Sequence, residues 1–280
     1  MKWKPWGGHV VVFVLVLLPA WLFLCGRTRP FNSQDMLILN VGIPMLQAGW
    51  RAHRHRNPVG PALLQALAGG LAMHRGMEQA AQTDGLSAWK AWQAKILMNV
   101  GASLAESAGK EFTFRMDIGP VWFLADRHGW RFRPGLHGVI APVLNLAEGA
   151  RLDWKRSFRF GTMAFHRPVN WDGTIGSNGA LAYSNANNFI TDERGSHIGH
   201  EMVHTFQYRR DAFFSPSLAR MIPGFADLIG DNWVDDTGWS LNWAVQCAWS
   251  DLKFQDKDFD ILMEREAYYL SEKYSPYFPK

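Results

Sequence analysis

Cysteine is scarce in this chain, with Cys25 and Cys247 the only two in 280 residues. Cys25 closes an apolar run and Cys247 lies in a stretch of helical pattern. A disulfide between them is not expected, and neither has the spacing of a metal-binding pair. Charge of one sign is also in short supply, since 29 Lys and Arg against 25 Asp and Glu leave a net charge of +4. No basic stripe with interleaved aromatics accompanies the excess, which argues against a nucleic-acid partner. Attraction to anionic lipid is the simpler reading. Glutamate is missing altogether between Glu201 and Glu264. Apolar residues are plentiful, at 48% against 19% charged, the mixture of a globular chain rather than a disordered one. The length allows one substantial core, or a small and a larger unit. The 14 Trp are unusually many. Pairs such as Trp130-Arg131 and Trp154-Lys155 suit a membrane interface, and large core side chains would serve equally well.

At the amino terminus, Lys2 and Lys4 precede an apolar run from His9 to Leu24. The run is short for a membrane span, and Trp3 and Trp6 extend it into the interface. A cleaved signal peptide is the rival, but Leu18 or Leu24 would then occupy the position that wants a small residue. An uncleaved anchor over residues 1–30 is therefore expected, with the main domain on an undecided side of the membrane. A second apolar stretch, Met36 to Trp50, is broken by Asn40, Gly42, Pro44 and Gln47. It reads as a poor second span, a re-entrant segment or a buried helix. The basic cluster Arg51, His53, Arg54, His55 and Arg56 follows directly. Such a run more often flanks a membrane segment than builds a metal or phosphate site.

Residues 31–110 form a helical, membrane-associated or packing segment in this reading. Leu63, Leu64, Leu67, Leu71 and Met73 to Met77 predict one apolar helix face, weakened or bent at Gly69-Gly70. Trp89, Trp92, Ile96, Leu97, Val100 and Leu104 predict a second helix, with a turn at 82–85. Past Lys110 the pattern changes to short strands. Phe112–Met116 and Val121–Leu124 flank a Gly119-Pro120 turn, Ser157–Phe165 alternates, and a polar strand is expected between Ala180 and Ile190. The isolated His128, His137 and His166 are read as surface or core residues rather than ligands.

Chemistry is concentrated in Gly199-His200-Glu201-Met202-Val203-His204-Thr205-Phe206-Gln207. On a helix, His200 and His204 lie one turn apart on the same face, within reach of one metal ion. Glu201 is rotated about 100° from His200, which sets its carboxylate beside the ion as a base rather than on it. The flanking Ile198, Met202, Val203, Thr205 and Phe206 are uncharged, as a buried helix requires. A buried helix with two core histidines would look similar. His197 falls on the same face one turn before His200, as a packing or capping residue or a contact to substrate or an alternative metal, with Ser196 a candidate cap.

This segment resembles the zincin superfamily of zinc metallopeptidases. Gln207 and Arg210 stand where the metzincin branch needs Gly and His, so that branch is excluded. The gluzincin branch takes its third ligand from a Glu on a later helix, which leaves Glu264, Glu266 and Glu272. Glu264-Arg265-Glu266-Ala267-Tyr268 resembles the Glu-x-x-Ala-Asp segment of membrane-bound gluzincins of the CAAX-prenyl-protease type, with Tyr268 in place of the Asp. That match implies Glu264 as the ligand. Other zincins put the Glu directly before the Ala, which implies Glu266. The two lie about 200° apart on a helix, so only one can face the metal, and Glu264 is preferred. Asp231, Asp235 and Asp236 are further candidates, but their spacing fits no aspartate-zincin signature.

The resemblance implies an α+β fold: the anchor (1–30), the helical segment (31–110) and a zincin-like catalytic domain (111–280). It implies Zn²⁺ on His200, His204 and Glu264, Glu201 as general base, and a peptide or protein substrate. The strand before the motif would line the cleft and pair with that substrate. Tyr268, Tyr208 and His197 are the candidate donors to a developing oxyanion. Two other classes stand beside this reading. One is a membrane-anchored binding or scaffold protein that lost the chemistry, which the intact Glu201 argues against. The other is a zinc hydrolase acting on a non-peptide amide.

Overall fold

A computed structural model describes residues 31–82, 87–134, 136–166, 183–185, 188–191, 197–211 and 262–274. The expected anchor over 1–30, the turn residues 83–86, the cap at Ser196, the three aspartates and the helix expected around Cys247 lie outside the described residues. Among those described, no helix is long and apolar enough to cross a membrane. The architecture is mixed α+β, mostly helical, with two small sheets.

The stretch containing Met36 to Trp50 is a helical rod with one buried side, carrying Met36, Leu39 and Ile43, and one exposed side, carrying Leu37, Ile38 and Leu46. It comprises α1 (Ser33–Leu37), a π turn (Ile38–Gly42) and α2 (Ile43–Arg54). Asn32 opens it with a capping box: its side chain accepts the Gln34 and Asp35 N–H groups, and Asp35 accepts the Asn32 N–H. Pro44 has no N–H to give the carbonyl four residues back, which is that of Asn40. The helix widens to a π turn at that point, a form in which single turns accommodate such interruptions. Arg51, from the basic cluster, donates to the carbonyls of Glu106 and Ala108. It thereby satisfies acceptors left over at the end of another helix.

The two predicted helices are α3 (Val59–Ala81) and α4 (Ala88–Ser107). Their contact face is not the leucine stripe, since Leu64 and Leu71 are exposed. Small residues make it instead. A Cβ on Gly69 would lie 2.6 Å from the Gly101 carbonyl, and one on Gly101 would lie 2.6 Å from that of Gly69. Backbone packs on backbone there, and again where Gly76 meets Ala94 and Met98. Gly69-Gly70 is therefore a packing device rather than a bend.

Strands β1 (Phe114–Ile118), β2 (Val121–Asp126) and β3 (Gly129–Pro134) form an antiparallel meander. Helix α5 (Leu136–Ala147) follows, then β4 (Arg151–Leu152) and α6 (Trp154–Phe160). The strand expected from Ser157 is thus corrected to a helix with β5 (Met163–His166) after it. Asp153 caps α6 by accepting the Arg156 N–H, and Gly161 at φ 61° ends it in the left-handed conformation. The expected strand up to Ile190 is likewise two strands, β6 (Tyr183–Asn185) and β7 (Asn188–Thr191), paired antiparallel. The second sheet runs β4-β5-β7-β6, with β5 and β7 parallel and β6 on the edge. Of the tryptophans, Trp122 is buried while Trp89, Trp130 and Trp154 are exposed.

Helices α7 (Ile198–Asp211) and α8 (Leu262–Tyr274) complete the fold. One apolar cluster draws on the rod, α3, α4, α6, strands β5 and β7, and these two helices. Its members include Met36, Met73, Met98, Phe160, Phe189, Met202 and Leu270. Beside it runs a buried polar network. Lys95 donates to Thr162 Oγ1 at 2.7 Å, the Asp117 N–H donates to Asn99, and Arg115 pairs with Asp117. Arg209 of α7 pairs with Glu106 through both terminal nitrogens.

Burial pulls the Lys95 amine down to about 7, against the opposing charge of Asp117. Between that value and its ordinary one the unfolded chain binds a proton that the folded chain does not, so stability rises with pH across this window. Lys95→Met should remove that contribution. Urea titrations from pH 7 to 9.5 are expected to give the wild type a slope steeper by up to about 1.4 kcal/mol per pH unit. Equal slopes in the two proteins would show that Lys95 keeps its proton on folding.

Candidate metal centre

Helix α7 is buried along its entire described length, from Ile198 to Arg210. It packs among α3, α4, α8, β6 and β7. His197 stands just outside it, with φ 62°, and its charge reaches His200. Its carbonyl accepts the Glu201 N–H at 3.0 Å and so closes the first turn. That bond puts the His197 backbone at the cap position, and its φ lies in the left-handed region that non-glycine residues seldom enter.

One turn apart, the His200 and His204 rings meet edge to face, with Nε2 atoms 3.0 Å apart. From α8, Glu264 brings Oε2 to 3.2 Å from His200 Nε2 and Oε1 to 3.2 Å from His204 Nε2. These three side chains form a group that could hold a metal ion. The histidines are buried at 8% and 9% side-chain exposure, whereas Glu264 retains 26%.

The electrostatics favour positive charge at that point. Burial pulls the His200 imidazole below its ordinary range, opposed by its hydrogen bond to Glu264. For His204 burial acts in the same direction, but the charge and hydrogen bond of Glu264, with the charge of Glu201, hold the ring up at about 9. Burial pushes the Glu264 carboxyl up, and the two histidines more than reverse this, holding it well below the usual carboxylate range. Glu201 itself is buried in α7, close enough for its charge to act on both His204 and Tyr268.

Glu266 is not brought to the group. Its carboxylate accepts both terminal nitrogens of Arg210, at 2.6 and 2.9 Å, and the Gln207 amide at 2.9 Å. Helix geometry put it on the opposite side from Glu264, and the packing of α8 against α7 selects which side faces the histidines. Tyr268, one turn past Glu264, lays its ring on His200 with centroids 4.7 Å apart. Burial, then the charges of Glu264 and Glu201, push its phenol up to about 12. Tyr208 is buried on α7 one turn beyond His204.

Gln207, Arg210 and Asn40 escaped the sequence reading. The signal was available, since adjacent arginines in a helix with so apolar a flank demand carboxylate partners when buried. His128 is exposed and engages Arg127, and no further group of three potential ligands occurs among the described residues.

Fold and site together define a mixed α+β protein with a buried two-histidine, one-carboxylate group suited to a metal ion. No protein-family model matches the chain, and no curated protein or solved structure matches it significantly.

Proposed function

We propose that this protein is a zinc-dependent metallopeptidase of the zincin type. The reading rests on one observation: His200, His204 and Glu264 converge on a single point with the Glu201 carboxylate close by. Two imidazole nitrogens and a carboxylate oxygen are a donor set that zinc takes in catalytic sites, leaving a fourth position open. Zinc bonds of about 2.0–2.1 Å at tetrahedral angles set neighbouring donors about 3.3 Å apart. The separations of 3.0, 3.2 and 3.2 Å are close to this. The donors therefore fit the ion.

When bound, zinc supplies Lewis acidity that activates water and polarises a carbonyl. Glu201 takes the proton of the attacking water and returns it to the departing amine nitrogen. Tyr268 stays protonated across the neutral range and can donate its O–H to the developing oxyanion. Strand β6, which lies against α7 and is at the edge of the sheet among the described strands, favours a peptide over a compact amide, because an extended backbone can add to a sheet edge. The apolar run from His9 to Leu24 supports a membrane anchor on the sequence alone.

Elemental analysis of purified wild type and Glu264→Gln tests the site. Wild type is expected to carry about one zinc per chain, and the variant to fold but lose it after dialysis. A folded wild type that takes up no zinc on reconstitution would overturn the peptidase reading.

A further inference from the structure

The environment of His204 extends well beyond its neighbours in the metal group. Its Nδ1 lies 2.7 Å from Gln207 Oε1. The Gln207 amide nitrogen faces two acceptors, the Met263 carbonyl at 2.8 Å and Glu266 Oε2 at 2.9 Å. A flipped amide would set its oxygen against both of these, so the nitrogen must face them and the oxygen must face His204. Glu266 is gripped by Arg210, and Arg210 Nη1 also donates to Asn40 Oδ1 in the π turn at 2.9 Å. Gln207, Glu266 and Asn40 are fully buried, and Arg210 is 2% exposed.

We infer that Gln207, locked by the Glu266–Arg210 pair, is the positioning residue that makes His204 present Nε2 to the metal. This rests on the metal reading above. An oxygen at Nδ1 can only accept, so Nδ1 must carry the hydrogen. The neutral ring then has its lone pair on Nε2, the atom beside His200 and Glu264. Hydrogen bonding of this kind to a ligating histidine sets its tautomer and orientation and raises its affinity for the ion. Helix α8 thus acts twice: Glu264 on one side supplies a donor, and Glu266 on the other orients the amide that orients a second donor. The chain Asn40–Arg210–Glu266–Gln207–His204 ties that donor to the π turn at the start of the described fold.

The test uses the full chain and zinc. In zinc-loaded wild type labelled with ¹⁵N-histidine, His204 should show zinc on Nε2 and a slowly exchanging Nδ1–H. Gln207→Met preserves side-chain length and removes the acceptor. It should lower zinc affinity by about 10- to 100-fold in competition with a chelator, and speed exchange of that proton. Zinc on Nδ1 in the wild type would overturn the inference even if the variant failed to fold. So would a folded variant with unchanged affinity and exchange, while zinc binding by the wild type left the metal reading standing. A wild type without zinc removes both.

Discussion

Arg210→Met is expected to destabilise the metal-free protein by about 3–5 kcal/mol, the usual cost of leaving one member of a buried ion pair behind. The side chain forms two hydrogen bonds to a carboxylate with no exposure to solvent, and its removal strands that charge among α3, α7 and α8. Glu266→Leu should cost a similar amount for the mirror reason. The double variant should recover much of the loss, because no uncompensated charge remains and apolar side chains fill the space. Urea denaturation of the four proteins at one pH gives the cycle. Single-variant losses below about 1 kcal/mol would be those of a solvent-screened pair and would contradict the buried geometry.

Glu201→Gln should lower turnover of an extended peptide substrate by about 10²- to 10⁴-fold, the range expected for loss of a general base. Zinc content should stay at the wild-type level, because the carboxylate stands beside the three donors rather than among them. The amide keeps the size of the side chain and removes its ability to take a proton. Measuring kcat and bound zinc on the same preparation separates the possible roles. Unchanged turnover would remove Glu201 from the reaction, and loss of zinc would make it a structural member of the site.

The helices of the middle region were legible because their apolar periodicity is local, yet the face they bury was not. Leucines advertise hydrophobicity, but α3 and α4 approach through Gly69, Gly76 and Gly101, whose contribution is the absence of a side chain. At 157–160, aromatic residues alternating with polar ones imitate a strand. Asp153 and Gly161 close the segment into a helix, leaving Phe158 exposed and Phe160 buried. Capping signals outweighed alternation over so short a run.

By itself the sequence determined the local half of the site. Helical geometry puts residues four apart on one face, so His200, His204 and the adjacent Glu201 follow from spacing alone. Only the tertiary structure decided between Glu264 and Glu266. Their separation around the helix was calculable, but the rotation of α8 against α7 depends on burying Met263, Ala267 and Leu270 and on pairing Glu266 with Arg210. Such a choice joins residues more than fifty positions apart, and it is made by packing rather than by any pattern in the intervening chain.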